Sequence, residues 1–198
     1  MKTLALILAA AGLLALGYCA FEFAGARLFQ AREAQRFAMQ SRPEPAVPSP
    51  EEAPPAPDLE PYPKTGSPVA LLAIPRLGLS TLVVEGADRR ELKLAPGHIS
   101  GTALPGAGGN FAVAGHRDTF FRPLRRIVVS DSIVVTTQSR EYHYRVAATR
   151  IVGPRDVHVL RPSDHETLTL VTCYPFQFIG AAPERFIVRA DCLDCQIP

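Results

Sequence analysis

Hydrophobic and polar positions divide the chain into three unlike regions. Residues 4–21 carry no charge and are almost wholly apolar, bounded by Lys2 and Glu22. At 1.5 Å per residue a helix of that length spans about 27 Å, close to one hydrocarbon core. Residues 22–40 turn polar and rich in Ala, Arg and Gln, a pattern that extends the helix beyond a bilayer. From residue 67 onward, short apolar runs alternate with Gly/Pro turns. Residues 69–74, 81–84, 110–114, 132–137, 142–151, 167–172 and 185–189 read as strands. Only 122–127 and 156–160 read as brief helical turns. Seven or so short strands in ~130 residues predict an all-β barrel or sandwich. No strand–helix alternation supports a parallel α/β sheet.

Between these regions lie nine prolines from Pro43 to Pro63. Proline fixes φ and lacks an N–H, so this stretch is neither helix interior nor central strand. It reads as a polyproline-like spacer reaching up to roughly 80 Å at ~3.1 Å per residue. The expected division is an N-terminal transmembrane anchor at 1–23, a juxtamembrane and Pro-rich linker at 24–66, and a globular β domain at 67–198. A buried core helix is the alternative for 4–21, but nothing nearby covers its whole circumference. A cleaved signal peptide is another, but the apolar run is long for one and no clean A-x-A site precedes the polar stretch. Leu16-Gly17-Tyr18-Cys19 loosely suggests a lipoprotein site, with Tyr18 where a small residue is needed. Lys2 lies on one side of the apolar run, Arg27, Arg32 and Arg36 on the other. Charge counting alone places the C-terminal side in the cytoplasm.

Composition narrows the function. A net charge of +2 with no dense Lys/Arg patch argues against a nucleic-acid binder. Trp is absent and aromatics are 8%, so stacking platforms for sugars or bases are not expected. There is no G-x-G-x-x-G, no P-loop and no clear carboxylate cluster. No cofactor and no metal are therefore expected. The four cysteines do not form a spread-out disulfide framework. Cys19 sits in the apolar run, Cys192 and Cys195 form a CxxC, and Cys173 stands alone.

Three segments carry candidate chemistry. In 167–173 the alternation puts Thr167, Thr169, Val171 and Cys173 on one face and Leu168 and Leu170 on the other. Cys173 ends the strand and Pro175 prevents simple continuation. A thiol held there is rigid and opens onto a loop; the bland reading is a small buried hydrophobe. In 110–119 a short apolar strand ends at Gly115 and presents His116. A thiol needs a base or cation to exist as thiolate near neutral pH, and imidazole suits that role. The bland reading is a surface turn histidine, with His98, His143, His158 and His165 as competitors. In 182–189, antiparallel pairing with 167–172 starts the return strand at Arg185, level with Cys173. Arg189 falls on the same face ~13 Å further along at ~3.3 Å per residue. A guanidinium there can donate to a tetrahedral oxyanion. The bland reading is a solvent-facing strand arginine.

The stretches PGHISGTALPGAGGNFAVAGHRDTFF, TLTLVTCYPF and APERFIVRA resemble the sortase family, and most closely its class D-like members. Thr169-Leu170-Val171-Thr172-Cys173 matches the family's TLxTC signature, and the resemblance covers roughly residues 68–191. It implies a closed eight-stranded sortase-type β-barrel with one or two short helices. It implies Cys173 as nucleophile, His116 as general acid/base and Arg185 as oxyanion and substrate-positioning residue. Asp118, Thr172 and His98 fall in matching positions and are assigned supporting roles. The implied reaction cleaves an LPxTG-like sorting signal between Thr and Gly and transfers the acyl group to an amine. The implied partners are sorting-signal-bearing surface proteins and an amine acceptor. The implied location is the cell membrane, single-pass, with the catalytic domain extracytoplasmic, against the charge bias noted above. The CxxC is not a feature of the family core and reads as a tail disulfide in an oxidising compartment. Two rivals remain: an L,D-transpeptidase, which a Ser-His-Gly-Cys segment would mark, and a non-enzymatic extracytoplasmic binding module, for which Cys173 is dispensable.

Overall fold

The computed structural model describes residues 2–40, 62–178 and 180–195. The Pro-rich spacer therefore lies outside the described residues, apart from Tyr62 and Pro63. Eight strands alternate with a few helical turns. They are β1 (Pro68–Ile74), β2 (Leu79–Glu85), β3 (Gly97–His98), β4 (Asn110–Gly115), β5 (Ser132–Thr136), β6 (Glu141–Val152), β7 (Thr167–Tyr174) and β8 (Glu184–Cys192). They close into a barrel in the order β1-β2-β3-β4-β7-β8-β6-β5. The pairs β2–β3 and β4–β7 are parallel and the rest antiparallel. All seven runs that read as strands are strands. The eighth, β3, has two residues, too few to show any periodicity.

The barrel interior is filled by alternate side chains. Phe111 and Val113 of β4, Leu168 and Leu170 of β7, and Val188 and Ala190 of β8 share one core with Leu72, Ile74, Ile133 and Tyr144. Burying each large apolar side chain stabilises the fold by about 1.5–3 kcal/mol. The complementary positions of β4, β7 and β8 face outward. Thr167 and Thr169 are nonetheless fully buried. Asn110 explains this: its Oδ1 accepts from Thr169 Oγ1 at 2.7 Å, and its Nδ2 donates to the carbonyls of Val159 and Arg161. The connection that includes the 3-10 turn Val157–Leu160 is thereby folded back over one end of the outer face.

Helix α1 (Lys2–Gln40) runs without a break. One apolar window in it has the length and composition to cross a membrane, and none of that window is buried in the protein. Its polar half touches the barrel. Gln30 Oε1 accepts from the Leu82 N–H at 2.7 Å and from Thr81 Oγ1 at 3.0 Å. Gln30 Nε2 donates to the carbonyls of Leu82 and Leu94, each at 3.2 Å. The reason is the brevity of β3, which pairs only with Val84 and Glu85. The backbone groups of Leu82 are left at an open edge, and an unpaired buried amide is costly. The Gln30 amide pairs both as a neighbouring strand would. Leu94 ends α2 (Arg89–Leu94), a short helix that the sequence pattern did not reveal.

Arg76, in the turn between β1 and β2, donates to both carboxylate oxygens of Asp131 and to the Arg126 carbonyl. Asp131 also accepts from the Val128 N–H at 2.9 Å. The Arg76 guanidinium holds the Asp131 carboxyl below the usual carboxylate range, burial opposes it, and the Val128 bond assists. Folded Asp131 thus binds its proton less tightly than the unfolded chain does. Its stabilisation is present above the ordinary carboxylate pKa and is lost as pH falls through the lowered value. Asp131→Asn is therefore expected to be less stable than the parent above pH ~4, the two converging in more acid solution. Thermal unfolding of both proteins across pH 2–7 checks this; parallel curves would refute it.

Candidate active site

Three strand ends meet at one rim of the barrel. β7 lies between β4 and β8. In β7–β8, Cys173 stands directly opposite Arg185. Cross-strand Cα atoms of such pairs lie ~4.5–5.5 Å apart, with both side chains on one face. In β4–β7, Gly115 is level with Thr172. The next residues, His116 and Cys173, are therefore neighbours just past that ladder. Cys173, Val171 and Ile187 share the outer face with Arg185 and Arg189, so the site opens outward from the barrel wall. Arg189 pairs with Thr169, four residues from the Cys173 level.

Local packing sets each group. The Phe121 ring lies against the backbone of Gly115, where an added Cβ would fall 2.6 Å from the ring. Only glycine permits that approach directly before His116. The Phe121 N–H also donates to the His116 carbonyl at 3.0 Å. Thr172 is buried, and its Oγ1 donates to the Gly115 carbonyl at 2.7 Å. Thr172 thus ties β7 to β4 at the level of the site. Cys173 is a free thiol, partly buried. Cys192 and Cys195 are joined in a disulfide. Cys173 is thereby the free thiol of the barrel, since Cys19 lies exposed on α1. The grouping of metal-type ligand atoms among the described residues is Cys192, Asp194 and Cys195, and its sulfurs are spent on that disulfide.

The histidines separate by their partners. His98 is fully buried, with Nδ1 2.5 Å from Glu85 and Nε2 2.9 Å from Thr102 Oγ1. It fastens β3 and the following turn, and none of its hydrogen bonds reaches Cys173, His116 or Arg185. His143 is paired with Asp194 and Glu141, and His165 with Asp191. His116, only partly buried, has no such carboxylate among the described residues. Arg185 donates to the carbonyls of Ala182 at 3.2 Å and Glu184 at 2.9 Å. Its guanidinium thus lies along the start of β8. Asp118 is exposed and lines an open cleft of about 290 Å³ with Arg122, Arg125, Phe176, Gln177 and Phe178.

Residues 72–193 match the family model described as the sortase domain. The chain belongs to the sortase family. Sortase D of Bacillus subtilis is 33% identical over 127 residues, covering 64% of each chain. This sortase therefore spans less than two thirds of that relative's length. Among solved structures, the Clostridium perfringens sortase D5 transpeptidase aligns with TM-score 0.61 at 33% identity, covering 66% of this chain and 81% of that one. Sortase E1 of Streptomyces coelicolor, solved with a tripeptide in its active site, aligns with TM-score 0.60 at 32% identity, covering 65% and 90%. The eight-stranded barrel expected from the resemblance is the fold observed.

Sequence reasoning passed over one residue beside the site. Arg117 follows His116 and donates three hydrogen bonds into the loop between β7 and β8. Its position next to a candidate histidine was the available signal. A lone arginine in a turn gives no hint of which carbonyls it will meet.

Proposed function

We propose that this sortase is a membrane-anchored cysteine transpeptidase that uses Cys173, His116 and Arg185. The observation that carries the reading is the register, which sets Arg185 opposite Cys173 and His116 beside it at one outward-facing rim. The Cys173 thiolate attacks the Thr carbonyl carbon of an LPxTG-like sorting signal, forming a C–S bond. The oxyanion of the tetrahedral intermediate turns toward Arg185, which swings from the loop carbonyls it now holds. The C–N bond to Gly breaks as protonated His116 gives its proton to the leaving amine. In the second half an incoming amine attacks the thioester carbonyl and gives a proton to His116. The C–S bond then breaks and the thiolate is restored. Water in place of the amine yields hydrolysis. Thr172 and Asp118 act by holding and flanking this site; His98 supports it only by fastening β3.

The apolar part of α1 anchors the chain in the cell membrane, and the barrel lies outside the cytoplasm. The Cys192–Cys195 disulfide fits an oxidising compartment. The partners are surface proteins bearing the sorting signal and an amine acceptor.

The test is intact-mass analysis of the full chain in detergent with an LPxTG peptide, with and without a glycine-based amine. The expected result is a thioacyl adduct that maps to Cys173 and disappears into an amide product when the amine is added. An unmodified Cys173 across a panel of such peptides would overturn the reading. Among the arginines, Arg185→Ala is expected to lower turnover by about 10²–10³-fold, the usual cost of one oxyanion donor. Arg189→Ala is expected to be mild, since it stands ~13 Å along the strand at ~3.3 Å per residue. Steady-state kinetics of the two variants decide this; equal losses would remove the role given to Arg185.

A further inference from the structure

The loop from Pro175 to Pro183 joins two strand ends that carry chemistry. Cys173 lies just before it and Arg185 just after it. The loop has little structure of its own: the Phe178 N–H to Pro175 carbonyl bond, at 3.3 Å, is its internal backbone hydrogen bond among the described residues. Arg117 supplies what is missing. Its Nη1 donates to the Pro175 carbonyl at 3.0 Å. Its Nη2 donates to the carbonyls of Phe178 at 2.6 Å and Gly180 at 3.1 Å. Its guanidinium carbon stands 5.8 Å from the centre of the Phe178 ring. Arg185 grips the far end of the same loop through the Ala182 carbonyl.

We infer that Arg117 is a positioning residue that clamps the β7–β8 loop and thereby sets the width of the cleft between that loop and the segment 118–125, to which we assign the bound peptide. This rests on the transpeptidase reading above. The cleft has two walls. Phe176, Gln177 and Phe178 come from the clamped loop; Asp118, Arg122 and Arg125 come from the segment that follows Arg117 in the chain. Arg117 is the covalent start of one wall and the hydrogen-bonded anchor of the other. Its backbone is also continuous with His116, so the imidazole and the loop are referred to the same point. Three carbonyls spread over six residues need a planar, multi-donor cation. Arginine offers five N–H donors in a fixed fork, whereas the lysine ammonium is a compact point charge on a shorter reach. Cys173 itself is held differently, by the ladders of β7 with β4 and β8. Loss of the clamp is therefore expected to disturb peptide binding while leaving the thiol in place.

The test compares the parent, Arg117→Ala and Arg117→Lys as full chains in detergent by three measurements. Peptide turnover of the Ala variant is expected to fall about 10–100-fold, mainly as a rise in KM, with the Lys variant between. Alkylation of Cys173 by iodoacetamide is expected to stay within about twofold of the parent, as its strand does not depend on the loop. Hydrogen exchange is expected to quicken at 176–182 and to stay unchanged in β7 and β8. Unchanged loop exchange in the Ala variant would overturn the inference, as would a fall in alkylation equal to the fall in turnover, which marks general damage to the fold. Should the parent never accept a peptide, the transpeptidase reading fails alone, and the exchange comparison still judges the clamp.

Discussion

Cys173→Ala is expected to abolish both acyl-enzyme formation and peptide transfer, leaving the fold intact. The first expectation follows from the chemistry. Splitting a peptide bond through a covalent intermediate requires a nucleophile that outcompetes water, and a methyl group supplies none. No other sulfur can substitute. Cys192 and Cys195 are bonded to each other, and Cys19 sits on the apolar half of α1. The second expectation follows from the setting. Cys173 lies near the end of β7, only partly buried and outside the core, so its removal leaves no sizeable interior cavity. Two measurements read the outcome. Intact mass after incubation with peptide is expected to show no adduct, and the melting temperature is expected to match the parent within a few degrees. Residual transfer at more than a trace, in a preparation shown by mass to be free of parent enzyme, would remove Cys173 from the reaction.

His116→Ala is expected to lower kcat/KM by about 10²–10⁴-fold, the range associated with a positioned general acid–base. That corresponds to roughly 2.7–5.4 kcal/mol of transition-state stabilisation at 1.36 kcal/mol per decade. His116 differs from three of the other imidazoles of the barrel in what stands beside its ring. His98, His143 and His165 each have a carboxylate close to the ring, which ties them to structural pairs. Among the described residues His116 has none, and it stands at the β4 end beside Cys173, where an imidazole can exchange a proton with leaving and entering amines. His158→Ala is the matched control, since that imidazole also has no carboxylate partner among the described residues but lies in the turn at Val157–Leu160. It is expected to change kcat/KM by less than about twofold. Progress curves for the two variants with one peptide and one amine decide the matter. A loss below about tenfold for His116→Ala, or a comparable loss for His158→Ala, would withdraw the role of His116.

Seven of the eight barrel strands were legible because they are short runs of mainly apolar residues set off by turn residues. The β7 run shows this best: Leu168 and Leu170 alternate with Thr169 and Val171, and the two leucines face the core. The order of the candidate site was legible for the same reason. Cys173 lies one residue from the end of β7, Gly115 ends β4, and Arg185 is the second residue of β8. The elements that escaped were those whose existence depends on distant chain. Two-residue β3 forms because β2 and β4 leave a gap between them. Helix α2 buries none of its residues, so no apolar face announced it. The covering of Thr167 and Thr169 depends on Asn110 meeting the carbonyls of Val159 and Arg161, some fifty residues away.

The sequence by itself determined the all-β class, the apolar N-terminal helix, and which thiol, imidazole and guanidinium stand at strand ends. These are local properties, written in period-two patterns and turn residues that act over a few positions. Only the tertiary structure decided what those groups have as neighbours. Pairing β7 with β4 on one side and β8 on the other brought residues 116, 173 and 185 to one rim. Closure of the barrel also gave His98, His143 and His165 their carboxylates, gave Gln30 an open strand edge to complete, and gave Arg117 three loop carbonyls to hold. Such contacts join residues tens of positions apart. They depend on strand register and barrel closure, which no local run of residues specifies.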